Sequence, residues 1–262
     1  MNLIASRHIQ RLTYVRDLIR EMVVRDIKLR YKRSVLGVAW SLLNPLAQLL
    51  VFTFIFRQAL SLDVPNYPLF VFTGALTWGW FQAGLVLAAG AITDNRELIK
   101  RPGFPTAILP VVTVTSQLIH FLLALPVLLL FVVLGGGRLT AAVSMLPVII
   151  ALQFLLTLSL GYLVATFQVT FRDTQHLLGV FLMLLFYLTP VFYDADIIPV
   201  AYRSLYNLNP MVHLLAAYRA IFVKGDLPHL PTLLALGVFC GGLLWFGHKV
   251  FTRASYHFVE EL

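Results

Sequence analysis

The residues able to do chemistry in this chain are few and widely separated. Its seven histidines form no HExxH pair of the kind that holds zinc on one helical face. No GxSxG elbow is present, and no Gly-Lys-Ser/Thr closes a glycine-rich phosphate loop. Any ATP used must therefore be hydrolysed by another chain. Cys240 is the single cysteine and sits in an apolar run, which rules out an intrachain disulfide or a cysteine-based metal site. Asp194, Asp196 and His213 are the one polar cluster that an enzyme of glycan or lipid assembly would have to use, and their spacing suits loop and cap roles instead.

Uncharged groups form a second kind of pattern. Ser41, Asn44, Gln48 and Phe52 share one helical face, and Pro45 deprives the Ser41 carbonyl of its intrahelical donor. These groups either line a path for a hydroxyl-rich substrate or hydrogen-bond neighbouring helices. Trp78, Trp80 and Phe81 cluster in one apolar stretch, Phe186 and Tyr187 in another. Aromatic planes pack against the C–H faces of sugars, but they also fill cores and interfacial belts. The channel-lining candidates are Ser41, Asn44, Gln48, Phe52, Trp78, Phe81 and Tyr187.

The elements that carry these residues are apolar. The chain has 262 residues, of which 59% are hydrophobic and 12% charged, about half the charge of a soluble domain. Six stretches without Asp, Glu, Lys or Arg stand out at residues 35–56, 69–92, 106–134, 141–167, 177–193 and 230–247. A helix of about 20 residues crosses the hydrocarbon core, so the pattern predicts an all-α membrane protein with six spans. Pro110 and Pro126 are candidate kink sites in the long third stretch. The first stretch begins only at Val35, behind a charged segment and with no small-residue cleavage site after it, so no removable signal peptide is expected.

The net charge of +8 follows the same topology. With the N-terminus inside, the cytoplasmic segments hold fifteen Lys and Arg and the outer ones five: Arg57, Arg138, Arg203, Arg219 and Lys224. Both termini are therefore expected in the cytoplasm of a multi-pass inner-membrane protein. A basic edge on an apolar body reads as membrane orientation rather than nucleic-acid binding. Depth without charge also argues against proton- or sodium-coupled transport, with His120 the only titratable residue of note within a span.

Two segments lie outside this pattern. Residues 1–34 form an expected cytoplasmic interface domain ahead of the six-span membrane domain at 35–262. On a helical wheel, Leu12, Val15, Leu18, Ile19, Met22, Val23 and Leu29 share one arc, while Arg16, Arg20, Arg25 and Lys28 fill much of the other, with Asp26 and Arg30 breaking the apolar side. Such a helix should lie among anionic headgroups of the membrane. Between the fifth and sixth stretches, residues 194–229 predict a re-entrant or interfacial helical hairpin, with Asn209 as N-cap and Pro210 in the first turn.

The run Arg25-Asp26-Ile27-Lys28-Leu29-Arg30-Tyr31-Lys32-Arg33-Ser34-Val35-Leu36-Gly37-Val38-Ala39-Trp40 with Asn44-Pro45 resembles the entry of polysaccharide-exporting ABC-transporter permeases. Asn95–Pro102, Phe171-Arg172-Asp173, Thr189-Pro190-Val191-Phe192-Tyr193 and Asn209-Pro210 extend the resemblance over nearly the whole chain. It is most similar to O-antigen permeases, with teichoic-acid and capsular-polysaccharide permeases as relatives. The resemblance implies a homodimer bound to two copies of a separate ATPase subunit, which would hold the ATP and magnesium, and a lipid-linked glycan as substrate. It implies no cofactor in this chain.

It also assigns roles. Asp94, Asn95, Arg96, Glu97, Leu98, Ile99, Lys100 and Arg101 map onto the coupling helix that docks on the ATPase. Helix signals agree there: Asp94 suits an N-cap, Glu97 the capping-box position, and Lys100 and Arg101 the C-terminal end. Arg16, Arg20, Arg25, Lys28 and Arg30 would belong to the interface helix. Ile197, Pro199, Asn209, Pro210 and Tyr218 would form the outer gate.

Overall fold

A computed structural model of the protein describes residues 2–32, 39–52, 54–55, 66–134 and 140–261. Eleven α-helices follow one another among these residues: α1 Asn2–Tyr31, α2 Trp40–Phe52, α3 Tyr67–Gly90, α4 Arg96–Ile99, α5 Ile108–Leu134, α6 Leu146–Thr170, α7 Thr174–Leu188, α8 Val200–Tyr206, α9 Pro210–Arg219, α10 Leu230–Ala254 and α11 Phe258–Glu261. No strand occurs among the described residues, as expected for a chain whose backbone must satisfy itself in lipid.

Four helical segments are long and apolar enough to cross a membrane: Tyr67–Gly90, Ile108–Leu134, Ala141–Thr170 and Leu230–Ala254. They match the second, third, fourth and sixth expected stretches. The fifth is shorter than expected, because α7 runs for 15 residues and stops where Thr189-Pro190 follows. A proline disfavours helical geometry in the residue before it, and Thr189 is accordingly extended. For the first stretch, α2 covers 13 residues, while 35–38, 53 and 56 lie outside the described residues. For the sixth stretch, α10 continues to Ala254, seven residues past the apolar run, and so carries His248, Lys249 and Arg253.

The helices alternate in direction. Tyr162 of α6 donates to the Ala107 carbonyl just before α5, and Thr170 at the end of α6 meets Glu261. At the opposite end, Tyr67 at the start of α3 donates to the Phe192 carbonyl, and Thr140 ahead of α6 donates to the Gly225 carbonyl. One end thus gathers α1, α4 and α11 with most of the Lys and Arg. The other gathers α8, α9 and the turn after α7. Of the two proline positions, Pro126 lies inside α5. Pro110 falls in its first turn, where no intrahelical donor is lost and no kink is required.

α3 is the centre of the bundle and buries most of its residues, packing on α2, α5, α6, α7 and α9. Apolar surface gains little by moving from lipid to protein, so close packing and hydrogen bonds must hold such a bundle. The small residues of α3 supply the approach. A Cβ on Gly84 would lie 2.7 Å from Thr157 Cγ2, and one on Gly161 would lie 3.2 Å from Ala88 Cβ. Between these contacts and the hairpin end, Gln153 of α6 donates to the Thr77 carbonyl at 2.8 Å. By contrast, Gly79 faces open space.

This difference gives a direct test. Gly84→Val should lower the thermal stability of the detergent-solubilised protein by about 1–3 kcal/mol, because overpacking separates α3 from α6. Gly79→Ala should be neutral or stabilising by about 0.5 kcal/mol through helix propensity alone. Equal losses in a thermal-melt assay would refute the packing account.

Candidate functional site

At the basic end, α1 is docked rather than free. Met22 and Val23 are buried in a core with Ile99, Ile108, Leu109 and Val112, and Val15, Leu18 and Ile19 pack against it. Leu12 and Leu29, expected on the same arc, are 71% and 58% exposed. The arc is therefore split: its middle binds the protein, while its ends face away. Arg16, Arg20, Arg25, Lys28 and Arg30 are all exposed.

Arg30, which interrupts the apolar arc, has a structural partner. With the Gln117 amide oriented to face the guanidinium, Nη1 and Nη2 lie 3.0 and 3.1 Å from its oxygen. Gln117 is two and a half turns into α5, and His120, one turn further, lies within electrostatic reach of Asp26 and Arg30. The break in the wheel is where α1 meets polar groups of α5.

The loop between α3 and α5 is tied to the same unit. Its backbone turns through a 3-10 segment at Thr93–Asn95 before the single turn of α4. Ile99 is buried and Leu98 half-buried, whereas Asp94, Arg96, Glu97, Lys100 and Arg101 are exposed. Asn95 donates to the Ala91 carbonyl at 2.9 Å and accepts from Arg25 at 3.4 Å, which links the loop to α1. Asp94 does not cap α4 as its position suggests. The N-cap position is Asn95, whose side chain makes no capping bond, and the Asp94 carboxylate folds over Gly90. The 3-10 turn takes in Asp94 and moves the start of α4 one residue on, so Asp94 lies ahead of the cap position. Beyond α4, Gly103 adopts φ 77°, a left-handed geometry that favours glycine, and the Phe104 amide closes the turn on Arg101.

At the opposite end, the expected hairpin is a helix pair of unequal burial. α8 exposes Val200, Tyr202 and Leu205, with Ile197 and Pro199 exposed ahead of it. α9 buries Met211, Val212, Leu214, Leu215, Ala217 and Tyr218. Asn209 accepts from the Met211 amide at 3.0 Å and donates to Thr189 Oγ1 at 2.9 Å, so it caps α9 and holds the turn after α7. Tyr218 is completely buried, its ring edge-on to Phe121 of α5. Pro210 occupies the first turn.

Sequence reasoning missed the most deeply placed charge here. Arg219 reads as one of five basic residues in outer segments, yet it is only 8% exposed. Its guanidinium lies 3.4 Å above the Phe70 ring centroid, and Nη2 donates to the Val191 carbonyl at 2.8 Å. The available signal was its setting: a lone cation directly after Tyr218 and before Ala220-Ile221-Phe222, in a helix otherwise apolar on that face.

The channel candidates divide. Trp78 and Phe81 are each 2% exposed, packed on one another at 5.5 Å, and Trp78 lies edge-on to Phe186 at 5.8 Å while donating to Gln82. Tyr187 is 60% exposed and Gln48 is exposed. The side chains of Ser41, Asn44 and Phe52 lie outside the described residues. α7, which carries Phe186 and Tyr187, buries only Leu182. Among the described residues, no three of His, Cys, Asp and Glu converge as a metal site would require.

Four helices able to cross a membrane, a loop anchored at one end and a hairpin with one buried helix at the other define a polytopic helical membrane protein. Residues 17–223 match the family model of the ABC-2 type transporter, and the chain belongs to that family. It is 37% identical over 258 residues to the O-antigen export system permease protein RfbA of Myxococcus xanthus, covering 98% of this chain and 99% of that protein. It is 31% identical to the O-antigen export system permease protein RfbA of Klebsiella pneumoniae, covering 96% and 97%. The polysialic acid transport protein KpsM of Escherichia coli is 26% identical over 231 residues, covering 86% and 89%.

The two roles of Asn209 give a test at this end. Asn209→Ala removes both the cap and the bond to Thr189 and should cost about 1–2 kcal/mol. Asn209→Asp, which retains the acceptor, should recover about half of that loss in thermal unfolding. Full recovery by aspartate would show that the Thr189 bond contributes nothing.

Proposed function

We propose that this chain is the membrane permease of an ABC exporter that carries a lipid-linked polysaccharide, O-antigen foremost, across the inner membrane. The observation that carries this reading is similarity over nearly the full length to O-antigen export permeases. Six spans with both termini in the cytoplasm, two permease copies and two copies of a separate ATPase subunit complete the assembly. ATP and magnesium belong to that subunit, since this sequence has no phosphate loop. Export of a capsular polysaccharide is the second reading, favoured by the relative named for polysialic acid transport.

The basic end is the docking surface. Leu98 and Ile99 hold the loop on α1 and α5, and the exposed Asp94, Arg96, Glu97, Lys100 and Arg101 face the ATPase. Closure of the ATPase dimer around ATP pushes on the loop, and the docked α1 moves with it. The permease supplies a path and a gate; the partner supplies the phosphoryl chemistry. α7 and α2 present exposed apolar faces toward the second copy, and the hairpin of α8 and α9 closes the outer mouth.

Two measurements test this. The purified chain alone should show no ATP hydrolysis, and hydrolysis should appear when the ATPase partner is added; activity from the chain alone would refute the assignment. Exchanging Glu97 and Leu98 together for Lys and Asp should reduce co-purification of the partner or export per ATP by about tenfold or more, since a half-buried anchor and an exposed contact are lost together. Wild-type coupling in that variant would remove the docking role of the loop.

A further inference from the structure

The turn after α7, residues 189–193, is held by three side chains from two elements. Tyr67 of α3 donates to the Phe192 carbonyl at 2.9 Å, Asn209 at the start of α9 donates to Thr189, and Arg219 at the end of α9 donates to the Val191 carbonyl. Val191 itself is fully buried. α9 thus grips the turn from both of its ends.

The Arg219 contact differs from the other two. It fits only because α3 has a glycine opposite. A Cβ on Gly74 would lie 2.5 Å from the Val191 carbonyl oxygen and 3.0 Å from Arg219 Nη2. The slot therefore has no spare space: the carbonyl and the guanidinium occupy the volume that a side chain on α3 would take. The guanidinium is also incompletely satisfied: its Nε is buried without a hydrogen-bond acceptor. A purely structural clamp in a low-dielectric site fills its donors, because each open one costs desolvation energy. Here one backbone carbonyl and one aromatic face hold a cation, while Asp194, Tyr206, Tyr67 and Tyr193 lie within electrostatic reach as alternative partners. Directly after Arg219 the helix widens into a π-turn at Ala220–Lys224, ending on Gly225 at φ 74°, which gives the end of α9 a geometry distinct from its regular start.

We propose that Arg219 is a latch: its hydrogen bond to Val191, seated against Gly74, sets the closed position of the outer hairpin, and its release frees the turn to leave α3. Arg219 is a positioning residue, acting through the turn rather than on the glycan. Opening exchanges one carbonyl acceptor for the nearby carboxylate and hydroxyls, so the charge stays partnered in both positions. This inference rests on the reading of the hairpin as the outer gate.

The test uses the full permease assembled with its ATPase. Val191→Cys in a Cys240→Ala background places a single thiol at the turn. It should resist a membrane-impermeant maleimide applied from the outer side. Adding Gly74→Ala, which changes neither charge nor donors, or Arg219→Met, should speed labelling by about tenfold, the effect of losing one hydrogen bond to a charged group. Arg219→Lys, keeping the cation, should restore part of the protection. Export per ATP hydrolysed should fall in the same order. Wild-type labelling rates in Gly74→Ala and Arg219→Met would overturn the latch. Failure of all three variants to reach the membrane as assembled dimers would also overturn it, because the contact would then serve folding. Faster labelling with undiminished export would leave the contact standing but remove the gate reading that gives it a role.

Discussion

The structure depends on how closely α3 approaches its neighbours. In lipid, apolar side chains have little to gain by leaving hydrocarbon for protein, so helices are held by contact distance and by satisfied polar groups. Gly84 lets α6 approach to where Thr157 fills the space, and Gly74 lets a backbone carbonyl and a guanidinium sit directly on the helix. Gln153 and Thr77 add a buried hydrogen bond between these two contacts. α2, α5, α6, α7 and α9 pack on α3, and α10 and α1 are added to this centre through α6 and α5.

The same helix joins the two ends. At its start, Tyr67, Phe70 and Gly74 touch the turn after α7 and the end of α9. At its end, Gly90 is covered by Asp94, and Ala91 accepts from Asn95 in the loop proposed to meet the ATPase. Twenty-four residues of continuous helix span about 36 Å, enough to reach from one end of the bundle to the other. The division of burial follows this layout: α3 is enclosed, α9 is enclosed on the hairpin side, and α7 is left almost bare.

Much of this was readable from the chain. Absence of Asp, Glu, Lys and Arg from long stretches located four helices able to cross a membrane, because burying charge in hydrocarbon is costly enough to leave a pattern. Asn209-Pro210 marked the start of α9, since capping and proline at the first turn are local effects. Local rules failed at Asp94, where a 3-10 turn takes in the residue and shifts the cap position to Asn95. They also failed to separate Trp78 and Phe81, which pack inside the chain, from Tyr187, which is exposed. An aromatic residue has the same signature in either place.

Composition, the spacing of apolar runs and the distribution of Lys and Arg by themselves determined an all-helical membrane protein with a basic end and an uncharged interior. Those properties follow from the solvent each residue type tolerates, which needs no knowledge of neighbours. Tertiary structure alone decided that α1 docks through Met22 and Val23, that Arg30 has Gln117 as its partner, and that Arg219 is buried over Phe70 in a slot left by Gly74. Each of these pairs residues dozens to well over a hundred positions apart. A buried cation is tolerated only where such distant groups converge to surround it, so a charge that the sequence assigns to an outer segment became a buried contact of the hairpin.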